Sequence, residues 1–237
     1  MDNIRHLPYT FDHATKFSRY ENLWKSVCLE LINKYVTEKQ RANTRILDVG
    51  SGRGEMMQLL AKKGYLVEGF DSDQVCVDLS SKFGVCKQGN IENIESYYSK
   101  KQFDIVVSLH VIEHLDNPKK SIGQFMNLSS KYVLLATPNL SSLPFLNLSK
   151  NIASCNKGHI CGWNYSHLKN LLQNILHLEI VEWATDCVRI YDYLPYLGWI
   201  DFILHKSGLR ALFEERILKN LLPRLSNSLI VLAKLPD

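Results

Sequence analysis

Three sets of residues in this chain have types and spacings that could do chemistry. The first is Ile46-Leu-Asp-Val-Gly-Ser-Gly-Arg-Gly54, in which Asp48 precedes three alternate glycines, Gly50, Gly52 and Gly54. Without Cβ atoms the backbone can turn sharply and admit a ligand closely. The unsatisfied N–H groups opening the next helix face the same space. Read as strand, loop and helix, the segment builds a nucleotide-type site at the carboxyl end of a parallel strand. The second set is one acid, Asp71, closing the run Tyr65-Leu-Val-Glu-Gly-Phe-Asp. It lies roughly 20 residues past the first glycine, where such folds place the carboxylate that accepts ribose hydroxyls. Its competing role is the N-cap of a helix over 73–83. The third set is rich in histidine: His110, Glu113 and His114 form H-x-x-E-H, and His159 lies between Cys155 and Cys161. Histidine titrates near neutrality and suits a general base.

The elements that must position these groups are legible from patterning. Apolar residues at helical spacing (Phe17, Tyr20, Leu23, Trp24, Val27, Leu31, Tyr35) predict a helix over 16–38. Short apolar runs predict strands at 46–49, 65–71, 84–88, 103–109 and 131–139, with helices at 56–63 and 73–83 between the first of them. This rhythm implies right-handed parallel βαβ units. After Asn139 the rhythm breaks. Residues 140–164 read as loop, followed by a helix at 166–176, a strand at 178–184, an aromatic stretch at 187–204 (Tyr191, Tyr193, Tyr196, Trp199, Phe202), a helix near 208–221 and a strand at 228–233.

The glycine spacing departs from the dinucleotide fingerprint, since G-x-G-x-G brings the third glycine one residue early. With Asp48 before the loop and Asp71 after it, the segment resembles motif I of the class I S-adenosylmethionine-dependent methyltransferases. Phe103–Pro118 and Lys131–Asn139 resemble the family's fourth- and fifth-strand segments, so the resemblance covers about 44–139. It implies a Rossmann-like α/β fold: a mostly parallel seven-stranded sheet, its last strand antiparallel, helices on both faces and insertions over the active site. It places the cofactor S-adenosylmethionine against Asp48, Gly50, Ser51, Gly52, Gly54, Asp71, Ser72, Asn90, Ile91, Leu109 and His110. Asn90 stands where the family has an Asp facing the adenine amino group; an Asn carbonyl oxygen can still accept there. Gly158–Leu168 resembles the segment of ubiquinone-type O-methyltransferases in which a His precedes a helix. This makes His159, with His114, the catalytic candidates and Trp163 a wall of the acceptor site. Some of those enzymes, and small-RNA 3′-end methyltransferases, carry E-x-x-E-H and bind a divalent metal. Here His110 replaces the first Glu, so a resident metal is not expected, although His110, Glu113, His114 and His159 are the set that would hold one, zinc suiting the nitrogen donors best.

The implied organisation is one domain over 1–237: a helical lid segment at 1–43, the cofactor-binding core at 44–139, substrate-side insertions at 140–204 and a closing helix and strand at 205–237. The chain has 237 residues, 46% hydrophobic, and a net charge of +4, which excludes general disorder and gives no strong call for nucleic acid. No apolar run of about 18 residues predicts a membrane span. Six scattered cysteines and no signal-peptide core read as reduced thiols in a cytoplasmic protein. The expected reaction is methyl transfer to a hydroxyl of a small acceptor of sugar, quinone, polyketide or lipid-like character. The alternatives are a metal-assisted RNA methyltransferase and a non-catalytic binding module.

Overall fold

The computed structural model describes residues 19–142, 158–188, 209 and 213–236. The aromatic stretch from 189 to 204, residues 143–157 of the first predicted insertion, and residues 1–18 of the predicted lid segment, Phe17 among them, lie outside them. Seven strands form one sheet: β1 (Arg45–Val49), β2 (Leu66–Asp71), β3 (Val85–Gln88), β4 (Phe103–Leu109), β5 (Ser129–Pro138), β6 (Glu179–Ala184) and β7 (Ser228–Lys234), in the order β3-β2-β1-β4-β5-β7-β6. β1 to β5 run parallel, while β7 is antiparallel to both β5 and β6. The expected sheet is therefore present.

Its central strands are apolar on both faces because both are covered. Ile46, Ile105, Val107, Leu134 and Ile230 form one core with Cys28 and Ile32 of α1 (Arg19–Tyr35). Their alternate neighbours Leu47, Val106, Val133, Leu135 and Val231 form the other, with Ile122 and Phe125 of a helix at Pro118–Leu128. α1 turns Val27, Cys28, Leu31 and Ile32 inward and leaves Ser26 and Glu30 exposed, the alternation its spacing predicted.

Differences from the patterning have local causes. The helix predicted over 16–38 ends at Tyr35, because Thr37 starts a separate short α2 (Glu38–Arg41) by donating its N–H to the Gln40 side chain at 3.0 Å. α3 is Glu55–Lys62, and α4 covers Gln74–Ser80 only. α5 is the helix at Pro118–Leu128, begun by Asn117 accepting from Lys120 N–H at 3.0 Å and by Pro118 in its first turn. Asn117-Pro118 is a helix-start signal that stands in the sequence itself. α6 (Tyr165–Lys169) continues as a π-helix over Asn170–Ile175, and the helix expected near 208–221 is seen as a π segment Phe213–Leu218 joined to Lys219–Leu221. The order reverses at β1, which has β2 on one side and β4 on the other. The carboxyl ends of these strands open the crevice where ligands of such sheets bind.

Candidate active site

At the end of β1 the chain turns through Gly50 (φ 73°), Gly52 (φ 52°) and Gly54 (φ 82°). The three do different things. A Cβ at Gly50 would run into Val111 Cγ2, and one at Gly54 would sit 2.7 Å from Ser80 Cα, so these two let neighbouring segments close on the loop. A Cβ at Gly52 meets no atom within 4 Å; its backbone faces the crevice. Gly50 and Ser51 donate their N–H groups to Phe70 O at 2.7 and 3.2 Å, which locks the loop to β2.

Asp71 lies beside that loop. Its Oδ2 accepts from Gly52 N–H at 2.8 Å and its Oδ1 from Asp73 N–H at 3.0 Å. Asp73, not Asp71, caps α4, accepting from Val75 N–H at 2.8 Å. The competing role thus falls to another residue, and Asp71 keeps lone pairs for a ligand. Burial pushes the Asp71 carboxyl up, while the backbone N–H groups of Asp73 and Gly52 pull it down. Ser72 is exposed just beyond, and Gln88 Nε2 donates to its carbonyl at 3.2 Å. Asn90 uses its side-chain oxygen to accept from Glu92 N–H at 2.9 Å, which leaves that oxygen one lone pair for the adenine contact expected of it; Ile91 is buried beside it. Gly89 allows Tyr97 and Phe70 to close under this side.

Asp48 is 2% exposed, and its Oδ2 has no hydrogen-bond partner among the described residues. Burial pushes its carboxyl up to about 7; Lys25 opposes the shift, and Asp71 and Glu55 add to it. Such an acid is suited to a ligand ammonium. Lys25, 3.5 Å from Glu55, and Trp24 belong to α1, which walls this end of the crevice. Arg53 pairs with Glu55 at 2.9 Å. Leu109 is buried, and His110 follows it with φ 57°.

The second part of the site is a cavity of about 260 Å³ lined mainly by Glu113, Thr137, Pro138, Leu140, His159 and Cys161. Glu113 is 1% exposed, and its Oε2 accepts from Thr137 Oγ1 at 3.0 Å. Burial pushes its carboxyl up, but His110 overcomes that effect and holds it below the usual range. Burial lowers His159, with Glu113 acting in the opposite sense. His159 packs edge-on against His114 at 4.8 Å between ring centroids, and His114 Nδ1 lies 2.8 Å from Gly158 O. Trp163 is outside the lining and bridges to Asn139 through its backbone.

Of the four residues expected as a metal set, the structure brings three together: ligand atoms of Glu113, His114 and His159 lie within 4.8 Å of one another. This donor set fits a divalent cation that accepts nitrogen ligands. His110 is outside it, facing Glu113 Oε1 at 3.4 Å. Patterning missed Trp24, Lys25 and Thr137 as site residues. Thr137 alone left a trace, as the polar break ending an apolar strand.

The sequence profile of the methyltransferase domain matches residues 19–175. A ubiquinone biosynthesis O-methyltransferase of Coxiella burnetii is 31% identical over 126 residues, 47% of this chain and 54% of that protein. One of Rickettsia akari is 27% identical over 170 residues, covering 65% and 64%. The chain thus spans about half the length of the first of these relatives. A methyltransferase from Archaeoglobus fulgidus superposes with a TM-score of 0.61 at 20% identity, covering 96% of this chain and all of that one. Magnesium protoporphyrin IX methyltransferase from Synechocystis, solved with bound S-adenosylhomocysteine, gives 0.60 at 13%, covering 93% and 89%. These two likenesses carry the fold. With well over half its length inside the profile, the chain belongs to the methyltransferase-domain family, with the class I Rossmann-like fold.

Proposed function

We propose that this chain binds S-adenosylmethionine in the crevice above β1 and β2 and transfers its methyl group to a hydroxyl of a small molecule held in the Glu113–His159 cavity. The observation that carries the reading is Asp71: a carboxylate at the end of β2, fixed by two backbone N–H groups, beside the glycine whose backbone faces open crevice. Two acceptor sites for ribose hydroxyls are thereby held in place. Asp48 suits the ammonium group and α1 closes the same end.

The cofactor supplies an activated methyl group on a sulfonium. What remains for the protein is alignment, which is proximity catalysis, and removal of the acceptor proton. Burial keeps His159 unprotonated at neutral pH and able to take that proton, with Glu113 close enough to steady the imidazolium that forms. The Coxiella and Rickettsia relatives are named as ubiquinone biosynthesis O-methyltransferases, which supports a hydroxyl acceptor of ring or lipid-like character. The Glu113, His114 and His159 cluster supports a second reading, in which a divalent cation orients the acceptor oxygen.

The test is methyl-labelled S-adenosylmethionine with the purified chain and an extract of its source. Label in the organic and small-molecule fraction is the expected result. Label in RNA or protein would overturn the substrate class, and no label despite cofactor binding would leave the binding module as the reading. Loss of transfer on chelation, restored by added cation, would select the second reading.

A further inference from the structure

His110 occupies a join between the two halves of the site. It follows β4 with φ 57°, and its N–H donates to Ala136 O at 2.8 Å. A non-glycine residue in this conformation is strained and persists only where its surroundings hold it. Here they hold the ring. Trp24 of α1 lies 4.6 Å away between centroids, tilted by 41°. Nδ1 is 3.4 Å from Glu113 Oε1, and Nε2 is 3.4 Å from Ser228 Oγ. Ser228 is itself fixed, donating its N–H to the buried Asp186 at 3.2 Å. Glu113 has its other oxygen taken by Thr137, so its remaining freedom is a tilt toward or away from His110.

We propose that His110 is a positioning residue that couples α1, on the cofactor side, to the Glu113 carboxylate at the base of the acceptor cavity. The naming of those sides rests on the methyltransferase reading above. A ring packed on Trp24 cannot tilt without moving Nδ1 relative to Glu113. A cofactor that presses on Trp24 therefore sets where Glu113 Oε1 points. Coupling of this kind is reciprocal. A change at Glu113 must appear in cofactor affinity although its side chain lines the other chamber.

The experiment is calorimetric affinity for S-adenosylhomocysteine, measured on the full chain with and without Glu113→Gln in two backgrounds. This product lacks the sulfonium charge, so direct attraction to the Glu113 carboxylate is largely removed. With His110 present, Glu113→Gln should weaken binding at least about threefold. In His110→Asn, which tolerates the left-handed backbone but has no ring to pack on Trp24, the same change should alter binding less than about twofold. Equal effects in both backgrounds, or none in either, would overturn the coupling. Should His110→Asn fail to fold, His110→Gly relieves the backbone and the same comparison is read there. A wild-type chain that does not bind S-adenosylhomocysteine would overturn the methyltransferase reading itself, and the coupling with it.

Discussion

At the scale of single residues, Asp48, Asp71 and His159 show that surroundings, not types, decide what a titratable side chain does. Asp48 and Asp71 share one crevice, yet Asp71 is held by backbone N–H groups while Asp48 Oδ2 has no partner among the described residues. The raised Asp48 pKa has a defined consequence for stability. Below about pH 4 the carboxyl is neutral in folded and unfolded chains alike. Between there and about 7 the unfolded chain releases the proton that the folded chain retains, so stability falls as pH rises through this window and levels off above it. Asp48→Asn should remove that part of the slope and leave a protein more stable than wild type at pH 8, as urea titrations at several pH values would show. Its affinity for S-adenosylhomocysteine should fall at the same time. For His159 the sign is opposite in effect: a lowered pKa keeps the base form available, so turnover should fall only below the ordinary histidine range near 6.5. His159→Gln should reduce turnover roughly 10²-fold or more with cofactor affinity retained; an acid limb at or above that range, or near-normal turnover, removes His159 from the role.

At the scale of elements, the glycine loop shows how the same residue type serves packing and binding. Gly54→Ala places a Cβ 2.7 Å from Ser80 Cα, between α3 and α4, and keeps a strained φ of 82°. Gly52→Ala meets only the left-handed penalty of roughly 1–2 kcal/mol. Thermal unfolding should therefore show Gly54→Ala as the more destabilised, whereas calorimetry should show Gly52→Ala losing the cofactor despite a retained fold. The loop, Asp71 and the strands around them were legible because each signal is local: a spacing within one strand–loop–helix unit. The partners of Glu113 and His110 were not. Thr137, Trp24 and Ser228 come from β5, α1 and β7, and nothing in the sequence says that β7 enters beside β5. Asp71's release from helix capping was equally hidden, because Asp71 and Asp73 stand in the same run and Asp caps well at either position.

At the scale of the whole molecule, the crevice proposed for the cofactor lies at the order reversal beside β1 and the cavity proposed for the acceptor beyond β4, with residues drawn from both halves of the chain. A ligand seated there should stabilise the fold as a unit. S-adenosylhomocysteine at about 100 times its Kd should add about 2.7 kcal/mol. At roughly 2–4 °C per kcal/mol for a chain of this size, the midpoint should rise by about 5–10 °C; no shift would mean that binding is absent. Among the described residues no helix is long and apolar enough to cross a membrane.

The position of β7 has one further consequence, for the order in which the molecule can be made. β6 leaves the ribosome before β7, yet among the described residues of the finished sheet it pairs with β7 alone, at the outer edge. A nascent chain must therefore carry Glu179–Ala184, with Trp183 in it, as an unpaired strand until Ser228–Lys234 emerges and slots between it and β5. Unpaired strands of this kind invite wrong partners. β7, made after β6, is thus also the strand that completes His110's surroundings through Ser228, so a chain halted before it should be open to protease at β6 while β1 to β4 are already protected.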